Sequence, residues 1–168
     1  GPTAPEGEPL TIYSPVEAGT AVAIEGVNDP SFAAELLGPS LAFAPATGTI
    51  VSPVDGVVTL VADTGHAVGL RADDGTEVLL HVGIDTVKMG GKPFTVKTKA
   101  RDRVERGQVL LETDLDALAE AEVDPTVIMA LTNTKKGKKE DIATPGTDVS
   151  TASPVASVAP RPVRKARK

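Results

Sequence analysis

The chain has no cysteine and no tryptophan, and aromatic residues make up only 2% of its 168 positions: three Phe and one Tyr. Without cysteine there is no disulfide framework, no thiolate zinc site and no cysteine nucleophile, and the composition suits a reducing compartment. With so few aromatic rings the core must be built from aliphatic side chains. No apolar run approaches the roughly 20 residues of a membrane-spanning helix, and no signal peptide is visible. Histidine is almost absent too: His66 and His81 are the whole supply.

What remains is rich in valine and in turn formers, with 16 Gly and 14 Pro. From Leu10 to Thr132 turn signals recur every eight to twelve residues, among them Asn28-Asp29-Pro30, Pro53-Val54-Asp55-Gly56, Asp73-Asp74-Gly75 and Gly90-Gly91-Lys92-Pro93. Short strands between such turns predict an all-β fold, an antiparallel β-sandwich or barrel of the barrel-sandwich hybrid type. One or two short helices interrupt it. Ser31–Leu37 is entered from Asp29-Pro30 and stopped by Gly38-Pro39, and Leu115–Ala121 has Asp114 as N-cap.

Charge is unevenly spread. Residues 135–168 hold 9 basic and 3 acidic residues, a net of +6, whereas residues 1–134 carry a net of −12, giving −6 for the chain. An acidic body argues against nucleic-acid binding by the folded part and suits a basic protein partner steered by its field. The organisation expected is a linker or expression remnant at 1–9, a folded domain at 10–132, and a disordered basic Ser/Pro/Ala-rich tail at 133–168. The start at Gly1-Pro2 rather than Met fits a remnant or a piece of a longer protein. For the tail, contact of its basic clusters with a membrane surface stands against a solvated linker.

The two histidines bracket a hairpin. His66–Ala72 and Thr76–Val82 read as strands joined at Asp73-Asp74-Gly75. If Asp74-Gly75 forms a two-residue type I′ turn, Val68 lies opposite His81, and His66 becomes the diagonal neighbour of His81 on one face. A one-residue slip would separate the rings. A lone strand histidine is usually a packed residue, but two on one face, beside Gly69 and Gly83, point to function.

Several chemistries can be set aside. Zinc hydrolysis needs three protein ligands; Asp85 offers a third, without supporting spacing. No nucleophile-elbow serine and no phosphate-cradling glycine loop is present. Phosphoryl transfer through a histidine remains, one neutral nitrogen attacking while a second imidazole and a hydroxyl hold the oxygens. Thr64, two residues before His66, can supply that hydroxyl.

These residues resemble the glucose-type IIA domain of the bacterial sugar phosphotransferase system. The carrying segments are Val27–Ala33, Ser52–Gly56, Thr64–Ala67 and His81–Val87, in the family's order, and the resemblance covers roughly Leu10 to Leu131. It implies that His81 is phosphorylated by the carrier protein HPr and passes the group to a cysteine of a IIB domain, with no cofactor required. His66 is implied in onward transfer, and Thr64 as the supporting hydroxyl. Partners are implied to dock on an apolar patch matched by Phe32, Leu36, Leu37, Leu79 and Val87, rimmed by Asp29 and Asp85. A cytoplasmic location, at the inner face of the membrane through a permease, follows from the same likeness. Some members bind regulatory partners, including complexes in which a partner carboxylate joins both histidines on zinc; here that pair would be His66 and His81.

Departures from the family are Ala62, Leu79 and Val82 where Phe is common, and Gly38-Pro39-Ser40 in place of a Gly-Asp-Gly loop. They bear on regulatory partners rather than on transfer. Two other readings stay open. Ser52–Val58 and Asp102–Leu110 resemble phrases of biotinyl or lipoyl carrier domains, with Lys88 as the modified residue, although Val87 stands where Met or Asp is needed. A IIA-like binding module without transfer activity is the other.

Overall fold

The computed structural model describes residues 7–162. Fourteen strands run antiparallel in three sheets, so the all-β expectation holds. The largest sheet has eight strands. Its centre is formed by β3 (Ser40–Pro45), β11 (Val127–Leu131), β7 (Glu77–Val82), β6 (Ala67–Ala72) and β5 (Gly56–Val61), side by side in that order. Strands β2 (Ala18–Val22) and β13 (Asp148–Ser150) extend it beyond β3, and β9 (Arg103–Val104) closes the other edge. One smaller sheet joins β4 (Thr49–Val51), β10 (Val109–Thr113) and β8 (Phe94–Val96); the other joins β1 (Leu10–Tyr13), β14 (Pro154–Val158) and β12 (Lys139–Asp141).

Alternation decides which face of the large sheet is core. Val78, Leu80 and Val82 of β7 are buried with Val68, Leu70, Leu41, Phe43 and Met129 in one apolar cluster. Their neighbours Glu77, Leu79 and His81 are only partly buried and turn to the opposite face. That outer face is covered in part by a second, smaller cluster of Phe32, Ala42, Ile84 and Ile128. His81 therefore sits where the sheet emerges from beneath this cover.

Both helices form, the second with Asp114 as its N-cap as expected and the first with Asp29, of the expected Asp29-Pro30 entry, as its cap. The Asp29 carboxylate accepts from the amides of Ser31 and Phe32 at the start of α1 (Pro30–Ala33), and Asp114 accepts from Ala117 at the start of α2 (Leu115–Glu120). The first is shorter than Ser31–Leu37. Glu35 takes a left-handed conformation, φ 56°, and the amides of Glu35 and Leu36 return to the carbonyls of Phe32 and Ser31, which ends the helix a turn early.

Two sequence expectations are corrected. The β6–β7 loop is not the two-residue turn: Arg71 faces Glu77 and Ala67 faces His81, so Asp73-Asp74-Gly75 is a three-residue connection. The Asp74 carboxylate accepts from the Thr76 amide at 2.8 Å, and Gly75 adopts φ 94°, which together favour the longer loop. The second correction concerns the supposed tail. Residues 139–158 contribute three strands, and Val155 and Ala156 are fully buried. The composition argument failed because these short strands need no core of their own; β14 adds to β1 and closes over apolar surface that the rest of the chain provides. The expectations for residues 1–6 and 163–168 lie outside the described residues.

Candidate functional site

The turn between β5 and β6 carries Thr64 and His66. The Ala62 amide donates to the Ala67 carbonyl, the Gly65 amide to the Ala62 carbonyl, and Gly65 takes φ 74°. A side chain at Gly65 would meet Val96 and Phe94 at about 3 Å, so the loop is pressed against β8 and only glycine fits. His66 precedes β6, and its carbonyl accepts from the Val82 amide at 2.8 Å. In a continued strand it would follow Val82 into the core. Because it belongs to the turn, alternation does not bind it, and its ring swings to the outer face.

There the rings of His66 and His81 lie with centroids 5.0 Å apart at 77°, edge to face. The pair expected from sequence is present, but the slipped register brought Ala67 opposite His81, and the turn conformation restored the contact. The Thr64 hydroxyl lies 2.5 Å from His66 Nδ1, leaving Nε2 as the free nitrogen of that ring. The Phe32 ring stands 4.8 Å from that of His81, tilted by 57°. His81 Nδ1 is buried without a well-formed hydrogen bond, so its Nε2 is the nitrogen that can meet another molecule.

The chain after His81 is pinned in place. The amides of Gly83 and Ile84 donate to the carbonyls of Thr126 and Asp124, both at 2.9 Å, and Asn28 donates to the Asp124 carboxylate. Gly83 has φ 80°, and a Cβ there would fall 2.3 Å from Thr86 Cγ2. Thr86, fully buried, returns its hydroxyl to the Val82 carbonyl. Asp85 is left-handed too, φ 61°, and opens the 3-10 turn Thr86–Met89.

Both imidazoles are held toward the neutral form. Burial lowers the pKa of His66. Burial, then the neighbouring His66, lowers that of His81, against the backbone of Gly83 and the charges of Asp29 and Asp85, which favour the cation. A neutral ring with an accessible nitrogen is a nucleophile; a second ring beside it can donate to an anionic group.

The expected docking residues fall into groups. Phe32 touches His81 directly, and Asp29 and Asp85 lie within electrostatic reach of it. Leu79 shares the outer face two residues before His81. Leu36, Leu37 and Val87 are not core: Leu36 is 72% exposed and Val87 51%. Lys88 lies in the 3-10 turn, 3.9 Å from the Asp85 carboxylate. Leu60 was not foreseen. Alternation from Val58 would bury it, but a bulge at Thr59 turns it over to face Gly69, and it stands 52% exposed beside Leu79's strand neighbour. A Cβ on Gly69 would press on Thr59 and Leu60 rather than on a histidine, so that glycine serves the bulge. No sequence signal marks the bulge itself.

Among the described residues no three metal-binding side chains gather, and two imidazoles are one ligand short of a zinc site. No helix among them is long and apolar enough to cross a membrane.

Residues 10–137 match the family described as phosphoenolpyruvate-dependent sugar phosphotransferase system, EIIA 1. The chain belongs to this EIIA family. It is 42% identical over 130 residues to the PTS system mannose-specific EIIBCA component of Corynebacterium glutamicum, which spans 77% of this chain and 19% of that protein. With the PTS system glucose-specific EIICBA component of Streptococcus pneumoniae it shares 43% identity over 122 residues, 73% of this chain and 17% of the relative. The EIIA chain thus spans about a fifth of the length of the curated relatives it matches. In three dimensions it matches the glucose permease IIA from Mycoplasma capricolum with a TM-score of 0.79 at 28% identity, over 90% of this chain and 96% of the other. The β-sandwich of the glucose-type EIIA domains is therefore the fold of this chain.

Proposed function

We propose that this EIIA domain carries a phosphoryl group on His81, taken from phospho-HPr and delivered to the IIB domain of a sugar permease. The observation that carries the reading is the perpendicular His66–His81 pair, with one ring's inner nitrogen buried and the other's occupied by Thr64. His81 Nε2 attacks the phosphorus of the donor's phosphohistidine in line. The new N–P bond forms as the donor's N–P bond breaks, and the donor nitrogen recovers the electron pair. Nδ1 keeps its proton, facing the Gly83 backbone.

His66 stabilises the group in transit. With the Thr64 hydroxyl donating to Nδ1, the His66 proton sits on Nε2, where it donates to a phosphoryl oxygen. In the second transfer the thiolate of the IIB cysteine attacks the phosphorus, the S–P bond forms as the Nε2–P bond breaks, and Nε2 recovers its electron pair, which leaves His81 neutral. The docking patch is formed by Phe32, Leu36, Leu37, Leu60, Leu79 and Val87, with Asp29 and Asp85 attracting basic residues of the donor. No cofactor enters this chemistry. Zinc would bind His66 and His81 only with a partner's carboxylate as a further ligand. The names of the relatives support a place beside IIB and IIC components, and the location proposed with it is the cytoplasmic side of the membrane.

The test is transfer in a reconstituted system of phosphoenolpyruvate, enzyme I, HPr and this chain. Acid-labile, base-stable label on His81 is expected. A chain that binds HPr but never takes label is a binding module, and the transfer reading falls.

A further inference from the structure

The loop that leads into β11 carries a carboxylate that the transfer chemistry does not use. Asp124 precedes Pro125, which has no amide to offer, so the carboxylate reaches one residue further. Its Oδ1 accepts from the Thr126 amide at 2.9 Å and from the Thr126 hydroxyl at 2.6 Å. Its Oδ2 accepts from Asn28 Nδ2 at 3.2 Å, across 96 positions of sequence. Burial raises the pKa of Asp124, but the bonds from Thr126 and then Asn28 outweigh it, and the net shift is downward. The group is therefore ionised at neutral pH and acts as an acceptor only. No basic side chain pairs with it among the described residues.

What this carboxylate holds bears on His81 from two directions. β11 pairs with β7 as far as Ile128 opposite His81 and Val127 opposite Val82. Beyond that point Gly83 turns left-handed, and the pairing continues only because the loop carbonyls follow it: Thr126 accepts from Gly83 and Asp124 from Ile84, both at 2.9 Å. The approach is close, since a Cβ on Gly83 would lie 3.1 Å from the Asp124 carbonyl oxygen. From the other direction, Asn28 stands directly before Asp29, the cap of α1, and the Phe32 ring of that helix is 4.8 Å from the ring of His81. The Asn28–Asp124 bond thus ties the helix that touches the imidazole to the backbone that follows it.

This geometry matters because a neutral imidazole has two tautomers and only one of them can attack through Nε2. That nitrogen has a free electron pair when the proton sits on Nδ1. His81 Nδ1 is buried without a well-formed hydrogen bond, and the backbone that acts on it is that of Gly83. A small displacement of Gly83 therefore decides whether Nδ1 keeps its proton. The carboxylates of Asp29 and Asp85 act on the ring through space, whereas Asp124 acts on it through Gly83.

We infer that Asp124 is a positioning residue for His81, held by Asn28 and Thr126 so that the Gly83 backbone stays against Nδ1 and Nε2 is left bare for the phosphoryl group. This rests on the phosphoryl-carrier reading for what Nε2 attacks; the tautomer is a property of the free chain.

Reversing the pair tests it. Asn28 is exposed, so its substitution leaves the core untouched. N28A removes the bond, and N28D sets two carboxylates against each other. N28D/D124N restores a bond in the opposite sense at the net charge of the wild type, with the amide oxygen at 124 still accepting from Thr126. Histidine ¹⁵N spectra of the free chain, at a pH where both rings are neutral, should show His81 protonated on Nδ1 in the wild type and in N28D/D124N. In N28A and N28D they should shift toward the Nε2 tautomer. Labelling of His81 from phospho-HPr should slow about fivefold in each single variant, the worth of one hydrogen bond, and return to within about twofold in the double variant. A wild-type ring protonated on Nε2, an unchanged spectrum in N28D, or a double variant no better than N28D overturns the inference and leaves the carrier reading standing. If the tautomer and its rescue are as expected but the wild type never takes label, the carrier reading falls and the positioning role of Asp124 holds.

Discussion

The rings of His66 and His81 meet edge to face with centroids 5.0 Å apart, although the two residues are not on the same face by strand register. Their contact depends on the turn that frees His66 from alternation. His66→Gln should therefore leave His81 able to take label but slow discharge to a IIB domain, roughly a hundredfold for one lost donor to a developing anion. Stopped-flow or quench measurement of discharge checks this, and an unchanged rate removes His66 from the transfer step.

Thr64→Val probes the tautomer. Losing the hydroxyl on Nδ1 leaves His66 in place but unfixed, and discharge should fall by about fivefold, the worth of one hydrogen bond. Histidine ¹⁵N spectra should show the His66 proton redistributing between its nitrogens.

Acidification gives a signed prediction. Both imidazoles are held below the usual value of about 6.5, His66 by burial and His81 by burial and then by His66. The unfolded chain therefore binds these protons first. The stability tied to the two rings is complete above about pH 6.5 and declines as pH falls from there through their folded values. NMR titration should place both midpoints below about 6.5, and His66→Gln should raise that of His81. A His81 midpoint at or above that value would contradict the stated environment.

Gly83→Ala tests the segment after His81. The residue sits at φ 80°, and a Cβ would lie 2.3 Å from Thr86 Cγ2. Left-handed strain alone costs about 1–2 kcal/mol, and displacement of buried Thr86 adds to it. Urea unfolding should show a loss larger than that strain, with labelling reduced as the backbone beside His81 Nδ1 shifts.

The carboxyl-terminal strands are structural. Val155 is fully buried against the core, so Val155→Ala should cost about 2 kcal/mol and lower the melting temperature by about 4–8 °C. A variant that melts unchanged would mean that β14 does not hold the domain together.

The sandwich, the two short helices with the Asp114 cap, and the histidine pair were legible because turn residues, N-caps and rare residue types are local signals. What was not legible depends on distant partners. The Asp73-Asp74-Gly75 loop admits two lengths, and the Asp74 bond to the Thr76 amide selects one. Leu60 reaches the outer face only because a bulge forms against Gly69. Residues 139–158 look too polar to fold, yet they need only complete surfaces that β1 and β2 already offer. The His66 contact was foreseen from a register that does not occur, and the ring orientation comes from the turn instead.

The central claim is that His81 Nε2 holds the phosphoryl group. Labelling from phosphoenolpyruvate through enzyme I and HPr, followed by ³¹P–¹H correlation of the product, tests it most directly. The phosphorus should couple to His81 through Nε2, and His81→Ala should take no label while His66→Gln still does. Label retained by His81→Ala, or phosphorus found on His66, would contradict it.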